Sequence, residues 1–250
     1  MRIIISPAKK MRVDTDTLDY YQLPQFVENT EILLAYLKRL SYEKLKSIWK
    51  CSDKIATLNY DRIQKIDLYS NLTPAILSFE GIQYQYMGSE VFDINEFEYL
   101  QTHLRIFSGF YGMLRPFDGV VPYRLEMQSK LRGKELNSLY EFWDRSLADS
   151  LFSESNCIIN LASKEYSRCI SNYLDKSIRF ITCIFGEMIK GKIVEKGTLV
   201  KMARGEMVRF MAENQIKDIE EIKTFNRLNY TFRDKLSDEN TYVFLKKKNN

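Results

Sequence analysis

The chain opens with MRIIISPAKK at residues 1–10, and this stretch gives the first indication of its fold. The apolar run from Ile3 to Ile5 predicts a short buried strand, which Ser6-Pro7 ends. A strand that ends in a turn of small residues followed by lysines is typical of an α/β layer. Lys9 follows the carboxyl end of this strand, where ligands of open α/β sheets bind. The turn lacks the glycine spacing of the known phosphate-binding loops, so it does not indicate a nucleotide-binding fold.

Further strands and helices follow in mixed order. Apolar spacing predicts helices at residues 28–40 and 95–106, and alternation predicts a strand at 81–86. Later segments are a buried strand at 157–161, a hairpin around Lys190-Gly191, a helix at 202–214, and a strand pair at 230–232 and 242–245. This order predicts a mixed α/β (α+β) fold rather than repeated βαβ units. We expect one compact domain over residues 1–250, with a mixed sheet flanked by helices.

The composition is that of an ordinary globular protein. The 250 residues are 45% hydrophobic and 28% charged, and 37 Lys and Arg against 33 Asp and Glu leave a net charge of +4. A balance this small does not indicate a nucleic-acid binder. The start lacks the apolar core of a secretory signal, and no stretch approaches the roughly 20 apolar residues of a membrane span. We therefore expect a cytoplasmic protein without membrane contact.

The cysteines and the histidine limit the metal and redox chemistry. The four cysteines include no C-x-x-C pair, which fits reduced thiols in a cytosol. The single histidine, His103, excludes a His-rich zinc or iron site, although carboxylate sites for harder metals stay open. We predict neither a metal nor a cofactor.

Arginines and aromatic residues are interleaved in HLRIFSGFYGMLRPFDGVVPYRLEM at residues 103–127. The stretch contains three arginines and a Gly-x-x-Gly turn: Arg105, Arg115, Arg124, Gly109 and Gly112. Guanidinium forks, aromatic faces and free backbone N–H groups are what a phosphate-binding or nucleic-acid surface requires. The alternative is a helix pair joined by salt bridges, with the aromatic residues in the core.

A second basic cluster lies in LVKMARGEMVRFM at residues 199–211 and contains Lys201, Arg204 and Arg209. It begins a helix, and a helix N-terminus with nearby cations is an anion site. Gly205 within this helix costs about 1 kcal/mol relative to Ala unless another group approaches it closely. We take that cost as favouring a functional role over a plain surface helix.

Other polar residues lie at strand ends or in the arginine-rich stretch: Ser6, Tyr123, Asn160 and Ser163. Ser163 is expected to cap a helix rather than act as a nucleophile, because no G-x-S-x-G elbow surrounds it. Glu80 and Glu126 lie beside aromatic and apolar residues, which raise a carboxyl pKa. They are the candidates for a general acid or base, and no residue is assigned as catalytic.

Five segments of the chain resemble the YaaA peroxide-stress protein family. These are ISPAK at 5–9, HLRIFSGFYGMLRPFD at 103–118, PYRLEM at 122–127, NLASKEY at 160–166 and ARGEMVRF at 203–210. They occur in order over nearly the whole chain. The resemblance implies a cytosolic protein that limits unincorporated iron during hydrogen peroxide stress and so restrains oxidative damage to DNA and proteins.

The resemblance also implies an unusual mixed α/β fold, a positively charged cleft, a helix-hairpin-helix-like element, and binding of duplex and branched DNA. Carried over to this chain, the hairpin falls at the helix Glu96 to Ile106 and the turn Ser108 to Gly112. The glycines there are three apart instead of the usual Gly-x-Gly.

Two functions follow as hypotheses. The first is a monomeric DNA-binding stress protein that holds phosphates independently of sequence, through Lys9, Arg105, Gly109, Gly112, Arg115, Arg124, Lys201, Arg204 and Arg209. The alternative is an enzyme that acts on a nucleotide or phosphorylated small molecule in the same arginine-rich pocket, with Glu126 or Glu80 as acid or base. Direct iron sequestration is a third, poorer hypothesis. A cleft wide enough for a duplex would favour the first, and a closed pocket of roughly 300–1,000 Å³ the alternative.

Overall fold

The computed structural model describes residues 1–131 and 136–247. Its strands are β1 (Arg2–Ile5), β2 (Lys10–Met11), β3 (Thr73–Pro74), β4 (Phe79–Glu80), β5 (Leu104–Ser108), β6 (Gly112–Leu114), β7 (Gly119–Val120), β8 (Cys157–Leu161), β9 (Arg179–Ile189), β10 (Lys192–Val194), β11 (Tyr230–Phe232) and β12 (Thr241–Lys246). Its α-helices are α1 (Val27–Lys38), α2 (Tyr42–Trp49), α3 (Asp53–Lys65), α4 (Ala75–Ser78), α5 (Ile82–Met87), α6 (Ile94–His103), α7 (Leu139–Trp143), α8 (Ser146–Glu154), α9 (Lys164–Ser171) and α10 (Gly197–Glu213). Short 3-10 helices lie at Ser89–Val91, Ile219–Thr224, Arg227–Asn229 and Asp234–Leu236.

The main sheet is mixed and has the order β11-β12-β9-β8-β1-β5-β6. Its centre, from β12 to β5, is parallel, and β11, β6 and β10 pair antiparallel. Ile3, Ile4 and Ile5 are fully buried because β1 lies between two neighbours and both faces of the sheet are covered. The predicted mixed sheet flanked by helices is confirmed.

A change in connection direction occurs at the centre of this sheet. After β1 the chain next enters this sheet at β5, which lies beside β1 on the side away from β8. After β8 it next enters the sheet at β9, which lies beside β8 on the side away from β1. The connections therefore diverge between the carboxyl ends of β1 and β8. Such a switch point opens a crevice in which open α/β sheets bind their ligands.

The later predicted elements are present, but α10 begins at Gly197 instead of Met202, so Lys201 and Arg204 lie inside the helix and not at its N-terminus as predicted. The strand at 157–161 is β8, β9 and β10 form the hairpin around Lys190 and Gly191, and β11 pairs antiparallel with β12. The helix α10 packs against α5, α6 and β9. The buried apolar side chains of these elements belong to one hydrophobic core.

Two secondary-structure predictions are wrong. Residues 82–87 form the helix α5, because six alternating residues also fit a short helix and packing against α10 favours the helix. Residues 104–108 form β5 instead of continuing α6, since their buried backbone completes the sheet beside β1.

The placement of the helix-hairpin-helix element is wrong for the same reason. After α6 the chain forms the hairpin of β5 and β6, whose pairing joins Ser108 to Gly112. Two helices joined by a short turn occur elsewhere: α2 and α3 pack together and are linked by residues 50–52, with Lys50 at φ 46°.

Close packing of two helices explains why residue 205 is a glycine. A Cβ at this position would lie 2.1 Å from the carbonyl oxygen of Gln83 and 2.9 Å from the backbone nitrogen of Met87. The backbones of α10 and α5 approach so closely that only glycine fits. The cost of Gly205 is thus explained by helix packing, which corrects our interpretation of it as a sign of function.

Candidate ligand-binding pocket at the switch point

A cavity of about 440 Å³ lies at the switch point and is lined by five segments of the chain. Residues 6–10 follow β1, and residues 163, 165 and 166 follow β8. The other lining residues are 80–84, 123–126, 201 and 204. The volume falls within the range of small-molecule sites, about 300–1,000 Å³.

Hydrogen bonds hold the two strand ends together beside this cavity. The Ser6 hydroxyl donates to the Ser163 hydroxyl at 3.1 Å and accepts from the Ser163 backbone N–H at 2.8 Å. Ser163 occupies the predicted N-cap position of α9, but its side chain makes no cap hydrogen bond to the helix. The Tyr84 hydroxyl donates to the Ser6 carbonyl at 3.0 Å.

Asn160 supports the turn without lining the cavity. Its Oδ1 accepts from the backbone N–H of Ala162 at 3.0 Å, and its Nδ2 donates to Thr182 Oγ1 at 3.2 Å. Tyr123 lines the cavity, and its hydroxyl is already engaged in a buried 2.6 Å hydrogen bond with Ser108. Both residues shape the pocket rather than offering it a polar group.

Two of the pocket carboxylates are already paired with cations. Glu126 Oε1 lies 3.0 Å from Lys9 Nζ and accepts from Arg124 Nη2 at 3.2 Å. Glu80 Oε2 lies 2.8 Å from Lys10 Nζ. Their charges are therefore largely balanced within the protein.

Glu165 is a third carboxylate in the pocket. Its Oε1 accepts from the backbone N–H of Gln128 at 3.2 Å, and no salt bridge to it occurs within the described part of the chain. Burial raises its pKa, and the negative charge of Glu126 adds to the increase. Glu165 is therefore the pocket carboxylate whose charge is least compensated.

The pocket also contains cations and donors without partners. Three of the six buried side-chain polar atoms that lack a hydrogen bond within the described residues belong to residues that line it: Gln83 Nε2, Arg124 Nε and Arg204 Nε. All three are donors, and the residue Gln83 is 7% exposed. Arg204 forms no ion pair with any residue in 1–131 or 136–247, and burial lowers its pKa. Buried unpaired donors indicate a bound acceptor that satisfies them.

The structure brings together only some of the predicted phosphate-binding residues. Lys9, Arg124, Lys201 and Arg204 line the cavity. Arg209 lies outside it, with Nε donating to Glu213 at 2.6 Å.

Arg105 and Arg115 instead surround Glu154, away from the cavity lining. Glu154 Oε2 accepts from Arg105 Nε at 2.8 Å and from Arg2 Nε at 2.7 Å, and Arg115 Nη2 lies 3.4 Å from Oε1. Arg105 is only 3% exposed. Our expectation that Arg105 contacts phosphate is therefore wrong, because its guanidinium is buried in an ion-pair cluster.

Gly109 and Gly112 are also buried, so neither offers a turn to phosphate. A Cβ at Gly109 would lie 2.4 Å from the Leu125 carbonyl oxygen, and Gly112 has φ +74° beside Trp143. Both glycines are required by close packing of the β5–β6 hairpin, which corrects their assignment to a phosphate-binding turn. The aromatic residues of this stretch lie in the core, as the alternative interpretation predicted.

Comparison with known proteins places the chain in a family. The sequence model described as peroxide stress protein YaaA matches residues 1–236. The chain belongs to the YaaA peroxide stress protein family. A UPF0246 protein of Agathobacter rectalis is 54% identical over 247 residues, which cover 99% of each chain. UPF0246 proteins of Lachnoclostridium phytofermentans and Pediococcus pentosaceus are 52% and 51% identical, each over 98% or more of both chains.

None of the helices described here is both long enough and apolar enough to cross a membrane. Within residues 1–131 and 136–247, no group of three or more His, Cys, Asp or Glu side chains is arranged to hold a metal ion.

Two pocket residues were not predicted as site residues from the sequence. Gln83 falls in a segment predicted as a strand, and only the packing of α5 against α10 brings it to the pocket. Glu165 follows Ser163 near the start of α9. Its position in the NLASKEY motif of the family, between Ser163 and Tyr166, was the one available signal.

Proposed function

We propose that this member of the YaaA family acts in the peroxide stress response by binding a phosphorylated, nucleotide-like ligand in the switch-point pocket. The observation that carries the proposal is Arg204, a half-buried pocket residue whose Nε is buried without a hydrogen bond and whose guanidinium forms no salt bridge in the described chain. Partial removal of this unpaired charge from water is unfavourable, so an anion in the pocket stabilises the folded protein.

The neighbouring groups support a phosphoryl group as that anion. Lys201 adds a second cation, and the unpaired Nε2 of Gln83 adds a neutral donor. Charge-assisted hydrogen bonds from guanidinium and ammonium groups to phosphate oxygens are the strong ones among protein hydrogen bonds. A cavity of about 440 Å³ accommodates a small molecule, whereas a DNA duplex does not enter it.

Catalysis on the bound ligand requires a group that can exchange a proton. Glu80 and Glu126, our candidates from the sequence, are held in salt bridges. Glu165 fits that role better, because burial and the nearby Glu126 raise its pKa toward the working range of a general acid or base.

The proposal is tested by titration calorimetry with ligands that differ only in the phosphate. Cytidine and guanosine are compared with CMP and GMP at constant ionic strength. We expect each nucleotide to bind at least tenfold more tightly than its nucleoside, since a charged hydrogen bond contributes about 1.5–3 kcal/mol. Equal affinity of nucleoside and nucleotide, or no binding of either, contradicts the proposal.

DNA binding is a second candidate, and the helix pair α2–α3 is the observation in its favour. The turn at residues 50–52 lies between two packed helices, and Lys50 and Lys54 beside it are exposed. The Ser52 side chain makes no cap hydrogen bond to α3. Helix N-termini and lysines of this kind contact phosphates without reading sequence.

Electrophoretic titration with a duplex and a four-way junction tests this candidate. The double substitution Lys50→Ala with Lys54→Ala is expected to weaken binding about tenfold and to reduce the salt dependence by about two phosphate contacts. Lys217→Ala with Lys235→Ala removes the same charge from exposed positions elsewhere and serves as the control. Equal losses in both double variants would leave no role for the α2–α3 turn.

We further propose that the limitation of free iron, which the family resemblance implies, runs through this ligand or DNA rather than through iron held by the chain. The chain has one histidine, and imidazole is a preferred iron ligand. Titration of the pure protein with Fe²⁺ against a competing chelator measures this. Micromolar or tighter iron binding would contradict it.

A further inference from the structure

We infer that the ligand of the switch-point pocket carries, besides its phosphoryl group, an amino group that donates a hydrogen bond to Glu165. This inference rests on the proposed function, since it concerns the same pocket. It identifies the ligand class as phosphorylated amines, either aliphatic or on a nucleobase.

The first step is the balance of charges within the pocket. Lys10 pairs with Glu80, while Glu126 pairs with both Lys9 and Arg124 and so leaves one of their two positive charges in excess. Among the described lining residues, the charges then left without a salt-bridge partner are those of Lys201, Arg204 and Glu165. A ligand with one anionic group and one hydrogen-bond donor complements both the two cations and Glu165. A purely anionic ligand complements only Lys201 and Arg204.

The second step is the capacity of Glu165 to accept. A carboxylate has about four lone-pair directions. Backbone N–H groups, of Gln128 and Met127, supply the hydrogen bonds that Glu165 receives. Acceptor capacity therefore remains on the side chain, which lines the cavity.

The third step concerns Glu126, the other carboxylate near Glu165. Burial disfavours the ionised form of Glu165 and the negative charge of Glu126 adds to this effect, whereas the ammonium group of Lys9 opposes it. A donor bound at Glu165 offsets both effects, because it restores hydrogen bonds and, where it is cationic, positive charge. A ligand that lacks the donor leaves a half-buried carboxylate desolvated, which costs binding free energy.

An aliphatic ammonium group and the amino group of a nucleobase both satisfy Glu165 by the same N–H donation. Three ligand pairs separate these sources: 2-aminoethyl phosphate with ethyl phosphate, CMP with UMP, and GMP with IMP. Within each pair the first member has an amino group that the second lacks. Preference confined to the first pair identifies an aliphatic amine, and preference in the nucleotide pairs identifies a base.

The experiment is titration calorimetry of the full chain and of Glu165→Gln with all three pairs. We expect at least one amino member to bind the wild type tenfold or more tightly than its partner, and we expect Glu165→Gln to reduce that ratio to about two or less. Glu239→Gln removes an exposed carboxylate outside the pocket and should keep the wild-type ratio. Circular dichroism and the melting temperature establish that Glu165→Gln is folded.

The outcomes separate this inference from the proposed function. Equal affinities within all three pairs overturn the inference, and so does a preference that survives in Glu165→Gln. In either case the proposed function stands as long as nucleotides bind more tightly than nucleosides. If they do not, the proposed nucleotide-like ligand fails, and the inference fails as well unless 2-aminoethyl phosphate alone is preferred over ethyl phosphate.

Discussion

The hydroxyl of Ser6 lies between two groups of Ser163: it donates to the Ser163 hydroxyl at 3.1 Å and accepts from its backbone N–H at 2.8 Å. These two residues follow β1 and β8, the parallel strands from which the chain departs in opposite directions. The contact therefore joins the two sides of the crevice in which the pocket lies. It links the topology of the sheet to the position of the candidate site.

Ser6→Ala removes both of these hydrogen bonds. The N–H of Ser163 then loses its acceptor in a half-buried position, so we expect the free energy of unfolding to fall by about 1–2 kcal/mol. Ser163→Ala is the matched control, because it removes only the bond between the two hydroxyls and should cost about half as much or less. Urea unfolding of both variants measures the difference. An equal loss in the two would show that the N–H bond contributes nothing.

Gly205→Ala tests the close approach of α10 and α5. The added Cβ would meet the Gln83 carbonyl oxygen at 2.1 Å, and backbone must shift to admit it. We expect a loss of about 1–3 kcal/mol in the free energy of unfolding despite the higher helix propensity of alanine. Gly197→Ala, at the start of the same helix, meets nothing within 4 Å and should be neutral or slightly stabilising. Equal effects of the two substitutions would refute the packing explanation.

Asp118 gives a defined pH dependence of stability. Burial raises its pKa from 3.8 to about 6, so the folded state holds the proton more tightly than the unfolded chain. This contribution is fully present below pH 4 and is lost as the pH rises through 6, by about 3 kcal/mol in all.

Asp118→Asn removes that titration. The asparagine oxygen can still accept from the Arg115 N–H, and the Gln22 amide, now donating to Asp118, can turn to accept from its nitrogen. We expect the stability of this variant relative to the wild type to increase between pH 4.5 and 7.5, measured by thermal unfolding at several pH values. A difference that does not change with pH would contradict the assignment.

Glu154→Gln tests the cluster in which Arg105 is buried. The substitution leaves Arg2, Arg105 and Arg115 without their shared carboxylate, and Arg105 is 3% exposed. We expect a loss of about 3 kcal/mol in the free energy of unfolding, because breaking a buried pair leaves an uncompensated charge. Asp149→Asn on the same helix breaks an exposed pair with Arg145 and should cost about 0.5 kcal/mol or less. If Glu154→Gln and Asp149→Asn lowered the free energy of unfolding by similar amounts, Arg105 would have to lie in a solvated environment.

Much of the fold follows from local patterns in the sequence. The isoleucine run of β1, the β9–β10 hairpin and the helix α10 are confirmed because apolar period and turn residues agree within each of them. The strand β5 was not predicted, since its residues also fit the end of α6 and only pairing with β1 decides between the two. The parallel centre of the sheet depends on such long-range pairing and has no local signal.

The site was predictable to the extent that its residues lie in strand-end turns. Ser6, Lys9 and Ser163 follow parallel strands, whose carboxyl ends share one edge of the sheet. Arg105 and Arg204 looked alike as basic residues among apolar neighbours. Their surroundings in the folded chain distinguish them. Glu154 forms a salt bridge with Arg105, whereas Arg204 has no salt-bridge partner in the described chain.

The substitution Arg204→Met tests most directly whether this half-buried, unpaired cation exists to bind an anion. The measurement is calorimetric titration of CMP and GMP into the variant, with Arg209→Met, which loses an arginine outside the pocket, as the control. We predict that Arg204→Met binds either nucleotide at least tenfold more weakly than the wild type, while its free energy of unfolding without ligand rises by about 1–2 kcal/mol. Unchanged nucleotide affinity in Arg204→Met, or an equal loss in Arg209→Met, would contradict the account.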